Sequence, residues 1–270
     1  MSPEVDCVGF LQWALPRLGR RWAGYRKVRR QVCRRVRRRA DVLGLASLAD
    51  YRERLERDPD EWSELDALTN VTISRFYRDR GVFEFLESDV LPALVDSARE
   101  AGRGVVRAWS AGCASGEEPF TLAILWELAI APHVRLQIVA TDVEPSMLRR
   151  AAEGRYPRSA LRELPGPWRD AAFARHGDEL VLASRFRRHV VLARHDIRAQ
   201  PPRGPFDLVL CRNLAFTYFD EAGQRETVRR LAGVTRSGAA LVVGRHEDLP
   251  GGEAGFDPWA PRLGVFRRAG

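Results

Sequence analysis

Between residues 8 and 68 apolar positions recur by threes and fours, as at Val28, Val32, Val36 and Leu43, with arginines filling the gaps. That period predicts helices throughout, and no alternating stretch interrupts them. Asp58-Pro59-Asp60 stops one helix and caps the next, predicted over 61–68. From about residue 104 the texture changes. Short β-branched or apolar runs now alternate with longer helical stretches, which is the βαβ signature of a parallel sheet. The runs are 105–110, 136–141, 189–193, 206–211 and 239–244, with 263–267 as a final strand. Segment 155–188 fits the alternation badly. Pro157, Pro165 and Pro167 precede a short strand at 179–183, so it reads as an insertion on the main sheet. The predicted organisation is a helical domain over 1–70, a linker and first helix over 71–103, and an α/β domain over 104–270.

A chain of 270 residues and 30.5 kDa has room for that body plus a smaller unit. With 45% hydrophobic and 30% charged residues it is not a disordered, collagenous or disulfide-stapled sequence. No run of about eighteen apolar residues predicts a membrane helix. The start, with Glu4 and Asp6 and no apolar core ahead of the arginines, does not read as a secretory signal. Charge changes the picture in one place. Residues 1–40 hold twelve of the 44 basic residues and two of the 36 acidic ones, so the net +8 is an N-terminal property. Lys27 is the one lysine, which reflects arginine-rich codon usage, and the pI argues little for nucleic acid. Cys7, Cys33, Cys113 and Cys211 lack metal-ligand or redox-pair spacing and are too few for a disulfide framework. A reducing cytoplasm is the expected home.

The sharpest local signal is the run from Trp109 to Pro119, Trp-Ser-Ala-Gly-Cys-Ala-Ser-Gly-Glu-Glu-Pro, where a strand passes through small residues into a helix predicted over 120–129. Small side chains let a ligand approach the backbone, and Ser115 with Glu118 has capping-box spacing. A tight strand-to-helix turn is the plain alternative. Neither the dinucleotide Gly-x-Gly-x-x-Gly nor the phosphate-loop Gly-Lys-Ser/Thr is present. The next strand ends in Ala140-Thr141-Asp142, and an acid there accepts ribose hydroxyls in nucleotide-binding sheets, or else caps the helix predicted over 144–153. Asp196-Ile197 and Cys211-Arg212-Asn213 follow later strands in the same way.

Taken with Thr72-Ile73-Ser74-Arg75-Phe76-Tyr77-Arg78-Asp79, Gly154-Arg155-Tyr156, Pro205-Phe206-Asp207 and Tyr218-Phe219-Asp220, these motifs make the chain resemble the CheR-type chemotaxis receptor methyltransferases. The order is kept over nearly the whole length. The resemblance implies a Rossmann-like α/β sheet of the S-adenosylmethionine (SAM)-dependent methyltransferase type, with an N-terminal helical domain and a small inserted antiparallel β-subdomain at about 155–188. It implies esterification of glutamate side chains on receptor helices, with S-adenosylhomocysteine as product. Position by position, Thr72, Ser74 and Arg78 match a linker motif that closes over SAM. Ala111 and Gly112 line the loop, Glu117 and Asp142 match the acids holding the amino and ribose groups, and Asp196, Ile197, Arg212 and Asn213 match later contacts. Arg78 and Tyr218 are the implied catalytic pair.

Four features depart from the family. Four residues, 214–217, precede Tyr218 where the family has three. Thr72 stands where many members carry Asn, and Gly244-Arg245-His246-Glu247 replaces the usual Gly-His-Ser-Glu. The tail through Pro250, Gly251, Gly252 and Pro258-Trp259 has no counterpart.

A carboxylate acceptor is ionised at neutral pH, its ordinary pKa being about 4.3, so the site needs alignment and desolvation rather than a base. Arg78 is expected to hold one acceptor oxygen and Tyr218 to donate to it or pack the methyl path. His176, His189, His195 and His246 read as surface or packing residues rather than bases, with His246, beside Glu247 after the fifth strand, the one to watch. The basic stretch 25–39 is suited to an acidic receptor helix, or is simply a solvated face. Two other readings remain: the same fold acting on a small molecule or a non-receptor protein, and a non-catalytic SAM-sensing module.

Overall fold

The computed structural model describes residues 3–130, 133–251 and 255–270. The chain forms two units, one of residues 1–71 with Thr217–Gln224, the other of Thr72–Phe216 with Arg225–Gly270. No helix among the described residues is long and apolar enough to cross a membrane.

The first unit is helical, as the period predicts: α1 (Pro3–Arg17), α2 (Trp22–Tyr25), α3 (Arg29–Val42), α4 (Leu48–Arg57) and α5 (Glu61–Leu68). The apolar stripe of α3, Val32, Cys33, Val36 and Ala40, is buried while Arg34 and Arg38 stay in solvent. Ser47 caps α4 by accepting the Asp50 N–H at 3.1 Å. At the next junction the cap is Asp58, whose Oδ1 accepts the Asp60 N–H at 3.1 Å, and not Asp60. Glu61, 4% exposed, receives both Arg39 donors at 2.9 and 2.8 Å and the Tyr51 hydroxyl at 2.7 Å. One expectation is corrected. Cys7 and Cys33 are disulfide-bonded, because α1 and α3 pack with the two Cα atoms 6.0 Å apart. A separation of 26 residues, with no local motif, hid the pair from the sequence.

The second unit opens with α6 (Arg80–Phe85) and α7 (Leu91–Glu100), joined by a π turn, and then builds the sheet. Its elements are β1 (Val105–Ala111), α8 (Glu117–Leu125), β2 (Arg135–Asp142), α9 (Pro145–Glu153), β3 (Arg155–Pro157), α10 (Gly166–Ala172), β4 (Phe173–His176), β5 (Glu179–Leu182), α11 (Ser184–Arg187), β6 (Val190–Arg194), β7 (Phe206–Cys211), α12 (Ala215–Tyr218), α13 (Glu221–Val234), β8 (Thr235–Val243), β9 (Phe256–Ala260) and β10 (Val265–Arg268). Seven strands lie in the order β6-β2-β1-β7-β8-β10-β9, parallel from β6 to β8, with β10 and β9 antiparallel. β3, β5 and β4 form a separate antiparallel sheet, the predicted insertion. β9 comes from the tail in which no element was expected. It holds Pro258, which an edge strand tolerates because one side of its ladder is unpaired.

The order fixes where a ligand belongs. β1 is flanked by β2 and β7, so the connections leave its C-terminal end in opposite directions and open a crevice there. Register brings Ala111 beside Thr141, and Ser110 beside Leu210, so three strands end level. Beneath them Phe76, Phe83 and Phe120 are buried in one core, while Trp109 is buried against Phe206.

Candidate functional site

The loop from β1 to α8 folds on its own backbone. Gly112 and Cys113 donate their N–H groups to the Thr141 carbonyl at 2.8 and 2.9 Å, and Ala114 donates to Asp142 Oδ2 at 2.8 Å. With its donors turned inward, the loop offers shape and small side chains rather than the amide nest of a phosphate loop. Gly112 sits at φ 76°, where a side chain is strained, and a Cβ there would lie 2.6 Å from Leu214 Cδ2, so the leucine would have to move. The expected capping box does not form. Gly116, at φ 90°, is the N-cap without a side-chain bond, while Ser115 Oγ donates to Glu117 Oε1 at 2.8 Å and Ser110 Oγ to Glu118 Oε1 at 2.7 Å.

Two acids face the crevice end. Glu117 is 4% exposed, and its Oε2 has no hydrogen-bond partner among the described residues. Burial pushes its carboxyl above the usual range, against the pull of its own backbone N–H and the nearby Ser115 and Ser74 hydroxyls. Asp142, 8% exposed, accepts Ala114 N–H through Oδ2 and Glu144 N–H at 2.9 Å through Oδ1. Burial raises its pKa too, despite those two donors. Each Asp142 oxygen keeps a second acceptor position, so the helix-entry role and a ribose role are compatible.

The 72–79 segment reaches the same crevice. Thr72 and Ser74 are partly exposed, and the Arg78 guanidinium donates to the Ile73 carbonyl at 2.9 Å and to Asn213 Oδ1 at 3.2 Å. Among the described residues Arg78 has no carboxylate partner. Asp79 is not its mate: it pairs with Arg212 at 2.8 Å. Arg212, 7% exposed, also meets Glu118 at 3.2 Å and the Arg78 carbonyl at 2.8 Å, leaving Nε as a buried donor without a partner among the described residues. It pins the 78–79 turn to β7 from below. All four non-glycine residues at positive φ among the described residues, Tyr77, Asp79, Ala114 and Asn213, lie in these site segments, where backbone strain is commonly concentrated.

The remaining positions divide. Ala111 ends β1, buried. Ile197 is 9% exposed just past β6, and Asp196 beside it is bound by Arg198, whose Nη2 lies at 2.7 Å. Tyr218 falls in the helical unit, where its carbonyl accepts the Arg21 N–H at 2.9 Å and its ring packs on Tyr25 with centroids 5.0 Å apart. His246 is exposed, and its neighbour Glu247 turns inward instead. Two features escaped the sequence reading: Leu214 over Gly112, and the buried Glu247 carboxylate. Cys113 is free and buried in the loop, where desolvation raises its thiol pKa and keeps it unreactive.

The residues fit a SAM-type ligand. An unpartnered buried carboxylate oxygen on Glu117 suits an ammonium, Asp142 has acceptor capacity for hydroxyls, and the loop leaves backbone room.

Comparison with known proteins agrees with that geometry. Residues 72–260 match the model of the CheR methyltransferase SAM-binding domain, and residues 27–69 that of the CheR methyltransferase all-alpha domain. A chemotaxis protein methyltransferase of Listeria monocytogenes is 32% identical over 75% of this chain and 75% of its own. A probable chemotaxis protein methyltransferase of Rhizobium etli is 33% identical over 77% and 80%, and the Escherichia coli chemotaxis protein methyltransferase 29% over 82% and 77%. With its SAM-binding domain matched over most of its length, the chain belongs to the CheR methyltransferase family and is a SAM-dependent methyltransferase.

Proposed function

We propose that the protein methylates glutamate carboxylates on acidic receptor-type helices. The observation that supports this acceptor is the charge state of two neighbouring arginines. Arg212 is neutralised by Asp79 and Glu118, whereas Arg78 holds only neutral oxygens and keeps its charge available. A planar guanidinium with spare N–H donors is the natural partner of a carboxylate.

When bound, SAM supplies a methyl group on a positively charged sulfur. Glu117 Oε2 would take the ammonium and Asp142 the ribose hydroxyls, with Ser74, Thr72, Ala111, Gly112, Asp196, Ile197 and Asn213 around them. Arg78 would hold the acceptor carboxylate in line. That carboxylate is already ionised at neutral pH, with an ordinary pKa of about 4.3, so no residue has to remove a proton. We further assign the protein to the cytoplasm, where thiol buffers work against the Cys7–Cys33 bond.

The acceptor helix would dock on α3, where Arg34 and Arg38 are exposed while Arg35 is held inward by the Leu68 carbonyl at 3.3 Å and the Asn70 carbonyl. The test uses SAM with a labelled methyl group and a synthetic acidic coiled-coil peptide. Label that leaves as methanol in mild alkali is a carboxyl ester, and label that stays refutes it. Reversing Arg34 and Arg38 to Glu should raise KM with little change in kcat, since rim charges act on encounter. Flat kinetics between about 50 and 200 mM salt, a range over which the Debye length shortens, would favour a small-molecule acceptor instead.

A further inference from the structure

We infer that Glu247 is a positioning residue for the reaction, acting on Arg78 through Asn213. The inference rests on the proposed role of Arg78. After β8 the chain turns so that the Glu247 N–H donates to the Gly244 carbonyl at 2.8 Å. The side chain then folds back under the strand end, and a single oxygen, Oε2, accepts the N–H of Gly244 at 2.5 Å and the N–H of Asn213 at 2.8 Å. Glu247 is 5% exposed. A buried carboxylate bound to two backbone amides is a strong, directional clamp.

Gly244 gives a second sign that this place is built for the carboxylate. A Cβ there would lie 2.6 Å from Glu247 Oε2 and 3.1 Å from Asn213 Oδ1. Gly244 is not among the residues at positive φ, so what glycine supplies here is space and not backbone freedom. Asn213, by contrast, is at φ 54°, in the left-handed region that a non-glycine residue keeps only when its surroundings hold it. Glu247 holds its N–H. From that conformation Asn213 Oδ1 reaches Arg78 Nη2 at 3.2 Å, and the other tether of the guanidinium is the carbonyl of the exposed Ile73. Without Glu247 the Asn213 backbone relaxes, its side chain swings, and Arg78 keeps one tether on a solvent-facing segment. The carboxylate touches no reacting atom, so its effect on turnover is indirect.

The test compares wild type, E247A, E247Q, N213G, R78K and the E247A/R78K double variant. The amide exchange rate at Asn213 and the Arg78 Nε–H resonance are read without substrate. SAM affinity is read by calorimetry, and kcat and KM with the acidic coiled-coil peptide. E247A should speed exchange at Asn213 about tenfold or more, lower kcat about ten- to a hundredfold, and change SAM affinity by less than about threefold. E247Q should recover most of the turnover, because an amide oxygen can accept the same two N–H groups. N213G keeps the left-handed backbone and deletes Oδ1, so its kcat should match that of E247A even where E247A folds poorly. In the R78K background E247A should add less than about a factor of two, the mark of residues acting as a unit. Full turnover in folded E247A or in N213G, beside an impaired R78K, overturns the inference alone. Losses that multiply in the double variant also overturn it. Full turnover in R78K overturns the role of Arg78 and this inference with it.

Discussion

Glu117→Gln isolates the interaction on which cofactor binding most depends. In the free protein Glu117 keeps a buried, unpartnered Oε2, and burial has raised its pKa. Glutamine retains the oxygen that accepts from Ser115 Oγ and deletes only the charge. A hydrogen bond to a charged group is worth about 1.5–3 kcal/mol, so SAM affinity should fall about 10- to 150-fold. The free protein should lose no stability. An acid whose folded pKa is raised gives stability below its unfolded pKa and loses it as pH rises through the folded value, so at pH 7 the charge is a cost. The same sign predicts that wild-type SAM affinity weakens on acidification already above the ordinary value of 4.5, because the ammonium needs the ionised form. In the variant that dependence should shrink to the share carried by Asp142, whose pKa is also raised. Calorimetry between pH 5 and 8, with thermal melts of both free proteins, measures all three quantities. A variant that binds SAM within threefold of wild type would refute the ammonium role, and a destabilised free variant would refute the reading of Oε2 as unpartnered.

Cys7→Ser, or full reduction, should cost the helical unit about 3.5 kcal/mol, the loop-entropy value for 26 residues; denaturant melts showing under about 1 kcal/mol would mean that the bridge carries little of that unit's stability. Arg39 holds Glu61 below the usual carboxylate range, so its contribution is present above pH 4.5 and lost as pH falls through the depressed value. The stability gap between wild type and Glu61→Gln should therefore close on going from pH 7 to pH 3, and a gap that widens there contradicts the pairing. Gly112→Ala should lose about 1–2 kcal/mol from its φ of 76° alone, with more from the Leu214 contact; an alanine variant as stable as wild type would show that the loop relaxes freely.

Local order and the cofactor loop were legible in the chain itself. A period of three to four cannot be satisfied by a strand, and short β-branched runs between helical stretches cannot bury themselves except as a covered parallel sheet, so α5 and β7 were found at their true bounds. The small-residue loop and the acid ending the next strand were equally visible, because strand termini in such sheets always open on the same edge. What the sequence could not carry were pairings set by packing between distant segments. Nothing local says that Cys7 meets Cys33, that Asp79 leaves its neighbour Arg78 to pair with Arg212, or that Pro258 lies in an edge strand. Nor does spacing say which of His246 and Glu247 turns inward. That was decided by two backbone amides, Gly244 and Asn213, converging where only a buried acceptor could satisfy both. Hydrophobic periodicity is a property of neighbours along the chain, while the partner of a buried polar atom is settled only once the strands have taken their order.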